Sequence, residues 1–261
     1  MSLLDPAERT RRGQALQTEL QGVGLEQSDT LLGSAWRDFV YAEVWSRPGL
    51  DRRSRFFISL AGSACEGCAP DVVDSYVRGA LTTGEITLPE LREAALHLAV
   101  YAGWSRGTVL DAAVTRVVAE LGLAETAVAP LRSAPWDSQQ RLAEGGQHFV
   151  DVMIMPSPPP VTPYFEGGIL NLVFGEMWMR PGLDQRARRW ITLVGVADSA
   201  SSMPIRSHTY AAMASGNATF EEAQEFVLQY ALHGGWPKAS VMQGVVFEMG
   251  KRVAEGLPFE A

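Results

Sequence analysis

Cysteine is scarce: Cys65 and Cys68 are the only two in 261 residues. Two thiols so close together cannot staple a chain of this size, which excludes a disulfide-framed scaffold and points to an intracellular protein. Long apolar runs are also missing. The best candidate, AALHLAVYAGW, is too short to span a bilayer, and the opening MSLLDPAERTRRGQAL has no apolar stretch of the kind a secretory leader needs. A cytoplasmic protein without membrane contacts is therefore expected. Basic excess is absent too: 22 Lys plus Arg face 30 Asp plus Glu, a formal net charge of -8, which argues against a nucleic-acid partner held through phosphates. There is no Gly-rich phosphate loop and no G-x-S-x-G elbow, so the usual nucleotide-binding and serine-hydrolase readings fall away. What remains is 46% hydrophobic and 20% charged, enough to build a globular core.

The chain matches itself. EVWSRPGLDRRSRFFISLAG at 43–62 lies against EMWMRPGLDQRARRWITLVG at 176–195 with twelve identities in twenty positions. After a one-residue shift in offset, SYVRGALTTGEITLPELREAALHLAVYAGW lines up with SHTYAAMASGNATFEEAQEFVLQYALHGGW, more by pattern than by identity. Gly84 and Gly216 coincide where a helix should stop in a left-handed cap. Thr87 with Glu90 and Thr219 with Glu222 carry the capping-box spacing for the next helix, which Gly103-Trp104 and Gly235-Trp236 then close.

Apolar residues recur at helical spacing over 7–21, 30–45, 51–64, 70–83, 88–102 and 106–121, and the plan repeats from about 138. No segment reads as a confident strand. The expected fold class is all-α, two helical domains in tandem at 1–123 and 140–261 joined by a linker at 124–139. MPSPPPVTPYF at 155–165 reads as a rigid Pro-rich excursion able to cover a neighbour.

Several repeated residues carry chemistry. Glu43 and Glu176 each precede an arginine, Arg47 and Arg180, by four, which places both on one helix face before Pro-Gly ends it; a surface ion pair is the plainest account. Asp51 and Asp184 read as N-caps. On the Thr-capped helices, Glu93, His97 and Tyr101 are spaced by four, and the matching places hold Glu225, Gln229 and His233. Such a line can bind a polar substrate and move a proton, or form a satisfied polar seam between helices. His208 stands opposite Tyr76 in the alignment, so the second half has His208 and His233 where the first has Tyr76 and Tyr101. Any imidazole chemistry is expected to centre on the second half. Trp45, Trp178, Phe57 and Trp190 could line a ligand site, although aromatic stripes are more often core. Cys65-Glu66-Gly67-Cys68 could form a redox pair or be two inert thiols at a helix end, and no second pair at ligand spacing supports a zinc site.

The residues EVWSRPGLDRRSR, VRGALTTGEIT and LAVYAGW resemble the carboxymuconolactone decarboxylase branch of the AhpD-like superfamily, over most of 8–121 and more weakly over 140–254. The resemblance implies small all-helical domains that assemble into trimers or hexamers, so that three tandem chains would form a six-domain ring. It also implies a lyase or isomerase acting on a small carboxylated lactone or ring without metal or organic cofactor. It places the family histidine at His208 and finds Tyr76 in the first half; His208 and His233 become acid and base candidates with Glu176 orienting one of them. Arg47, Arg180, Arg53 and Arg186 become carboxylate anchors. The superfamily's redox branch would put cysteines at Ala69 and Val72, one turn beyond Cys65 and Cys68. Thiol peroxidase chemistry through Cys65 and Cys68, and a non-catalytic binding protein, are the alternatives.

Overall fold

The computed structural model describes residues 4–21, 30–132, 134 and 136–259. The first residues of the opening stretch and linker positions 133 and 135 lie outside the described residues. The fold is all-α, with no strand among the described residues.

The first half comprises α1 (Pro6–Gln21), a short α2 (Leu31–Ala35) that continues in π-helical winding over Trp36–Trp45, α3 (Arg52–Cys65), α4 (Pro70–Thr82), α5 (Leu88–Ala102) and α6 (Trp104–Glu120). The second comprises α7 (Ser138–Met153), a π-helix at Tyr164–Val173, a single 3-10 turn at Met177–Met179, α8 (Gln185–Ser199), α9 (Ser202–Ala214) and α10 (Phe220–Ala254). The expected helices therefore form with ends shifted by one or two residues. The two π-helical stretches are the exception, because an extra residue per turn leaves no clear mark on hydrophobic spacing.

The stops and starts follow local chemistry. Asp51 and Asp184 accept from the amides of Ser54 and Ala187, each at 2.8 Å. Glu90 and Glu222 reach back to the amides of Thr87 and Thr219 at 2.8 and 2.9 Å, completing both capping boxes. Gly84 and Gly216 take φ of 72° and 73° at the ends of α4 and α9, a region costly for other residues. At Gly103 the chain breaks between α5 and α6, and at Gly235 (φ 79°) the long α10 bends at the same place.

Helices α3 and α8 lie against each other at the centre. Each also carries the capped helix of the opposite half: α5 packs on α8, and α10 on α3. Close approach is possible because the facing residues are glycines. A Cβ at Gly62 would stand 2.8 Å from the His233 Cβ, and one at Gly195 would stand 3.0 Å from the Tyr101 Cβ. One continuous apolar cluster runs through both halves, from Tyr41, Phe56 and Leu91 to Trp190, Phe226 and Met249. A smaller cluster of Val152, Met153, Phe174, Trp178 and Ala211 sits under the π-helix and the Pro-rich segment. Among the described residues no helix is long and apolar enough to cross a membrane.

Candidate functional site

The polar stripe on α5 and its counterpart on α10 both face the opposite half. On α5, Glu93 is bound side-on by Arg180, with contacts of 2.6, 2.9 and 3.1 Å, and stands 3.6 Å from Arg188. One turn on, His97 Nε2 is 2.9 Å from the Thr192 hydroxyl, while its Nδ1 lies 3.5 Å from Arg188 Nη1. A guanidinium can only donate, so Nδ1 accepts and Nε2 carries the proton. A further turn on, the Tyr101 hydroxyl accepts from Trp178 Nε1 at 2.6 Å. On α10 the arrangement is reciprocal: Glu225 is gripped by Arg47 and by Arg55, Gln229 bonds Arg55 and Ser59 at 2.9 Å each, and His233 packs edge-on against Tyr76 at 5.5 Å.

These contacts correct two expectations. Neither Glu43–Arg47 nor Glu176–Arg180 forms a local ion pair, because neither stretch is an α-helix and both arginines turn toward the opposite stripe. Glu43 pairs instead with Arg9 at 2.7 Å. Glu176 accepts from the Arg132 amide at 2.7 Å and stands 3.7 Å from Arg141, so its partners are the linker and α7 rather than an imidazole. The four expected carboxylate anchors are likewise engaged within the chain: Arg47 with Glu225, Arg180 with Glu93, Arg53 with Glu90 and Asp184, Arg186 with Glu222 and Asp51.

His208 and His233 do not share a site. His208 stands edge-on to Tyr101 at 5.1 Å, on the side of the molecule that holds His97 and Trp178. His233 belongs to the other cluster, with Tyr76, Trp45 and Tyr41. Each cluster is thus built from both halves, and the imidazole-rich one joins His97 of α5 to His208 of α9. Burial holds all three imidazoles toward the neutral form: His97 well below the usual value with help from Arg188, His208 at about 3 with help from Arg189, and His233 at about 4. Burial pushes the half-buried Tyr101 hydroxyl the other way, so it too stays neutral, with its proton on the oxygen. Trp190 and Phe57 lie in the core, stacked under Arg186 and Arg53.

Arg189 is the residue sequence reasoning passed over. It is fully buried, with Cζ 4.7 Å from the Trp178 ring; Nε bonds Asn217 at 3.2 Å and Nη2 the Val152 carbonyl. Its Nη1 has no partner, and no carboxylate pairs with it among the described residues. Nδ1 of His208 is buried without a partner as well. Burial lowers the Arg189 pKa to about 10, which still leaves it charged at neutral pH. An uncompensated interior cation is expensive unless something anionic comes to it. A sequence signal existed: within the repeated block, Arg189 stands where the first half has Phe56.

The two thiols are free. Burial pushes Cys65 up to about 12 and, less strongly, raises Cys68, the reverse of what a nucleophilic thiol requires. No group of three His, Cys, Asp or Glu among the described residues is placed to hold a metal.

Residues 31–115 match the carboxymuconolactone decarboxylase family. This carboxymuconolactone decarboxylase-like segment runs from α2 into α6 and carries Trp45, Tyr76, Glu93, His97 and Tyr101. The chain is 34% identical over 86 residues to a 4-carboxymuconolactone decarboxylase of Acinetobacter baylyi, covering 33% of this chain and 63% of that protein. It is 41% identical over 66 residues to a nitrosuccinic acid decarboxylase of Metarhizium robertsii, covering 25% of this chain and 45% of that one. The matches thus span less than two thirds of either relative.

Proposed function

We propose that the chain is a decarboxylase-like lyase acting on a small carboxylated ring, lactone or nitro acid, and that its reacting site is the cluster of Arg189, His208, Tyr101, His97 and Trp178. The observation that carries this reading is the buried, unpaired guanidinium of Arg189 beside an unpartnered imidazole nitrogen. Both relatives bear names of enzymes that remove CO2 from acids. The two-half organisation, with units at 1–123 and 140–261, is proposed to come from duplication; the reciprocal contacts of Arg47 with Glu225 and Arg180 with Glu93 support it.

The chemistry follows from charge. When the bond from carbon to carboxylate breaks, its electron pair stays on carbon and spreads onto an adjacent carbonyl or nitro oxygen. A fixed cation in a water-poor setting stabilises that oxygen more than it does in water. CO2 leaves, and the carbon takes one proton, which solvent restores. Tyr101 and His208 are the proton-holding groups within reach of Arg189's surroundings, the first protonated by burial and the second neutral. Met155 and Ile169 pack against the apolar cluster that holds Trp178, which would limit water on that side of the site.

Arg189→Phe places here the residue that the first half carries at the matching position, Phe56. Removing a buried charge-assisted contact is expected to lower kcat/KM by at least about 100-fold. CO2 release from 4-carboxymuconolactone and from nitrosuccinate measures it, with the thermal midpoint as the control for folding. Undiminished turnover in the variant, or no CO2 release by the wild type from either acid, overturns the reading.

A further inference from the structure

The two halves carry matching clefts beside their first helices. Helices α1 and α7 share a register: Gly13 lies under the Arg37 carbonyl and Gly145 under the Leu170 carbonyl, so that a Cβ at either would collide with backbone. The second-half cleft is walled by Glu144, Met179 and Arg180, and the first-half cleft by the residues in the matching places, Arg12, Ser46 and Arg47. In the second half the chain fills its own cleft. Linker residues 129–132, which have no regular secondary structure, cross it. Arg180 donates to the carbonyls of Ala129 at 2.6 Å and Pro130 at 3.1 Å, and the Arg132 amide donates to Glu176 at 2.7 Å. The Arg132 guanidinium reaches the Gly175 carbonyl at 2.6 Å and the Glu144 carboxylate. About 300 Å³ remains beside this segment. The first-half cleft measures about 710 Å³, and the described residues that line it all belong to α1 or to the stretch 45–52.

One of the side chains that read the linker is reversed in charge between the halves. Glu144, which takes the Arg132 guanidinium, stands where α1 has Arg12. Arg12 is half-exposed and its contact with Glu8 is long, at 3.4 Å. Arg11 and Arg52 border the same cleft, paired with Glu8 and Glu19 in exposed contacts of the kind that contribute little and yield readily. A segment with the linker's own charge would meet a cation here, and one with a carboxylate in place of Arg132 would meet its complement. The neighbouring acid differs in the same sense. Glu176 accepts the linker amide and stands 3.7 Å from Arg141, whereas Glu43, in the matching place, closes on Arg9 at 2.7 Å.

We propose that the first-half cleft docks a short non-helical segment of a partner polypeptide, one that carries a proline and, two residues after it, an aspartate or glutamate where the linker has Arg132. The proline holds the residue before it extended, as Pro130 does for Ala129. The segment's backbone lies in this cleft as the linker lies along Arg180, and its carboxylate meets Arg12. The charge at position 12 excludes the chain's own linker and selects the acidic segment. The proposal goes beyond the decarboxylase reading and stands without it, since none of Arg189, His208 and Tyr101 lines this cleft.

Fluorescence anisotropy of the full chain with two dye-labelled, C-terminally amidated peptides tests it. One is TAVAPLR, the sequence of residues 126–132, and the other is TAVAPLE, the same peptide with Arg132→Glu. At low salt the wild type should bind TAVAPLE saturably and about fivefold or more tighter than TAVAPLR, the size of one part-exposed ion pair. Arg12→Glu, on the exposed side of α1, should invert that preference, and about 0.5 M salt should flatten it in both proteins. Absence of saturable TAVAPLE binding by the wild type overturns the proposal, and so does a preference that Arg12→Glu leaves unchanged. Should the variant fail to fold, TAVAPLE with benzoylphenylalanine in place of its leucine decides on the wild type. Photo-crosslinks to α1 within residues 8–19 support the docking, and crosslinks confined to other elements overturn it.

Discussion

Arg189 and Phe56 hold matching places on α8 and α3, and this difference puts a guanidinium over one indole and an apolar ring against the other. At the same scale, His97 and Gln229 are exchangeable in geometry: each bonds the hydroxyl of a residue on the central helix of the other half, Thr192 or Ser59, at 2.9 Å. His97→Gln is accordingly expected to cost less than about 1.5 kcal/mol at pH 7, in the range of a volume-conserving change with its hydrogen bonds retained. Its larger effect should appear in acid. His97, His208 and His233 have folded pKa values below the 6.5 of the free side chain, so below about pH 6.5 the unfolded chain binds more protons than the folded one. Stability is then lost as pH falls from 6.5 toward 3, by about 1.4 kcal/mol per pH unit for each imidazole still unprotonated in the fold. Urea unfolding from pH 6.5 to 4.5 should show a slope shallower by about that amount in His97→Gln, and an unchanged slope would mean that His97 titrates normally. The i, i+4 line of Glu93, His97 and Tyr101 was legible because helical spacing fixes which residues share a face. What that face meets was not legible, since a partner 87 to 95 residues away in sequence leaves no local trace.

Between elements, the decisive contacts are the arginine corners just before each Pro-Gly stop. Arg180 leaves the 3-10 turn extended, donates to the carbonyls of Ala129 at 2.6 Å and Pro130 at 3.1 Å, and reaches Glu93 on α5. Glu93 is buried and is shared by two guanidiniums, so Glu93→Gln takes from both the carboxylate in contact with them. A loss of about 3 to 5 kcal/mol is expected by urea unfolding, as for other buried pairs broken on one side. The exposed reciprocal pairs that join the two halves, Arg53 with Asp184 and Arg186 with Asp51, form a contrast within the same fold. Asp184 is also an N-cap, so the test is Arg53→Ala, which removes the part-exposed pairs with Asp184 and Glu90 and the stacking on Phe57 together and is expected to cost about 1 to 2 kcal/mol. Equal losses in the two variants would refute this ordering. The N-caps, capping boxes and left-handed glycines were visible in sequence because each is settled within four residues. The ion pairs were misassigned because the same spacing that suggests a local pair also suits two residues looking elsewhere.

For the molecule as a whole, the consequence of this geometry is that neither half closes its own polar stripe. The α5 stripe is satisfied by Arg180, Arg188 and Thr192, and the α10 stripe by Arg47, Arg55 and Ser59. The main core is likewise continuous across the halves. A fragment of residues 1–123 should therefore self-associate or fail to unfold cooperatively when examined by analytical ultracentrifugation and calorimetry; a cooperative, monomeric fragment would contradict this. Sequence by itself determined the helical class, most helix ends and the doubled pattern around the Arg-Pro-Gly-Leu-Asp blocks, since these depend on spacing and on contacts within a turn or two. It also singled out His97, Tyr101, His208 and Tyr76 as chemically able groups. Only the tertiary structure decided that His208 stands with Tyr101 while His233 stands with Tyr76. It alone showed that Arg47, Arg180, Arg53 and Arg186 are neutralised by internal carboxylates and that Arg189, among the described residues, is not. The reason is physical: burial and charge compensation are properties of a three-dimensional neighbourhood, and chain order does not encode which distant carboxylate arrives beside a given cation.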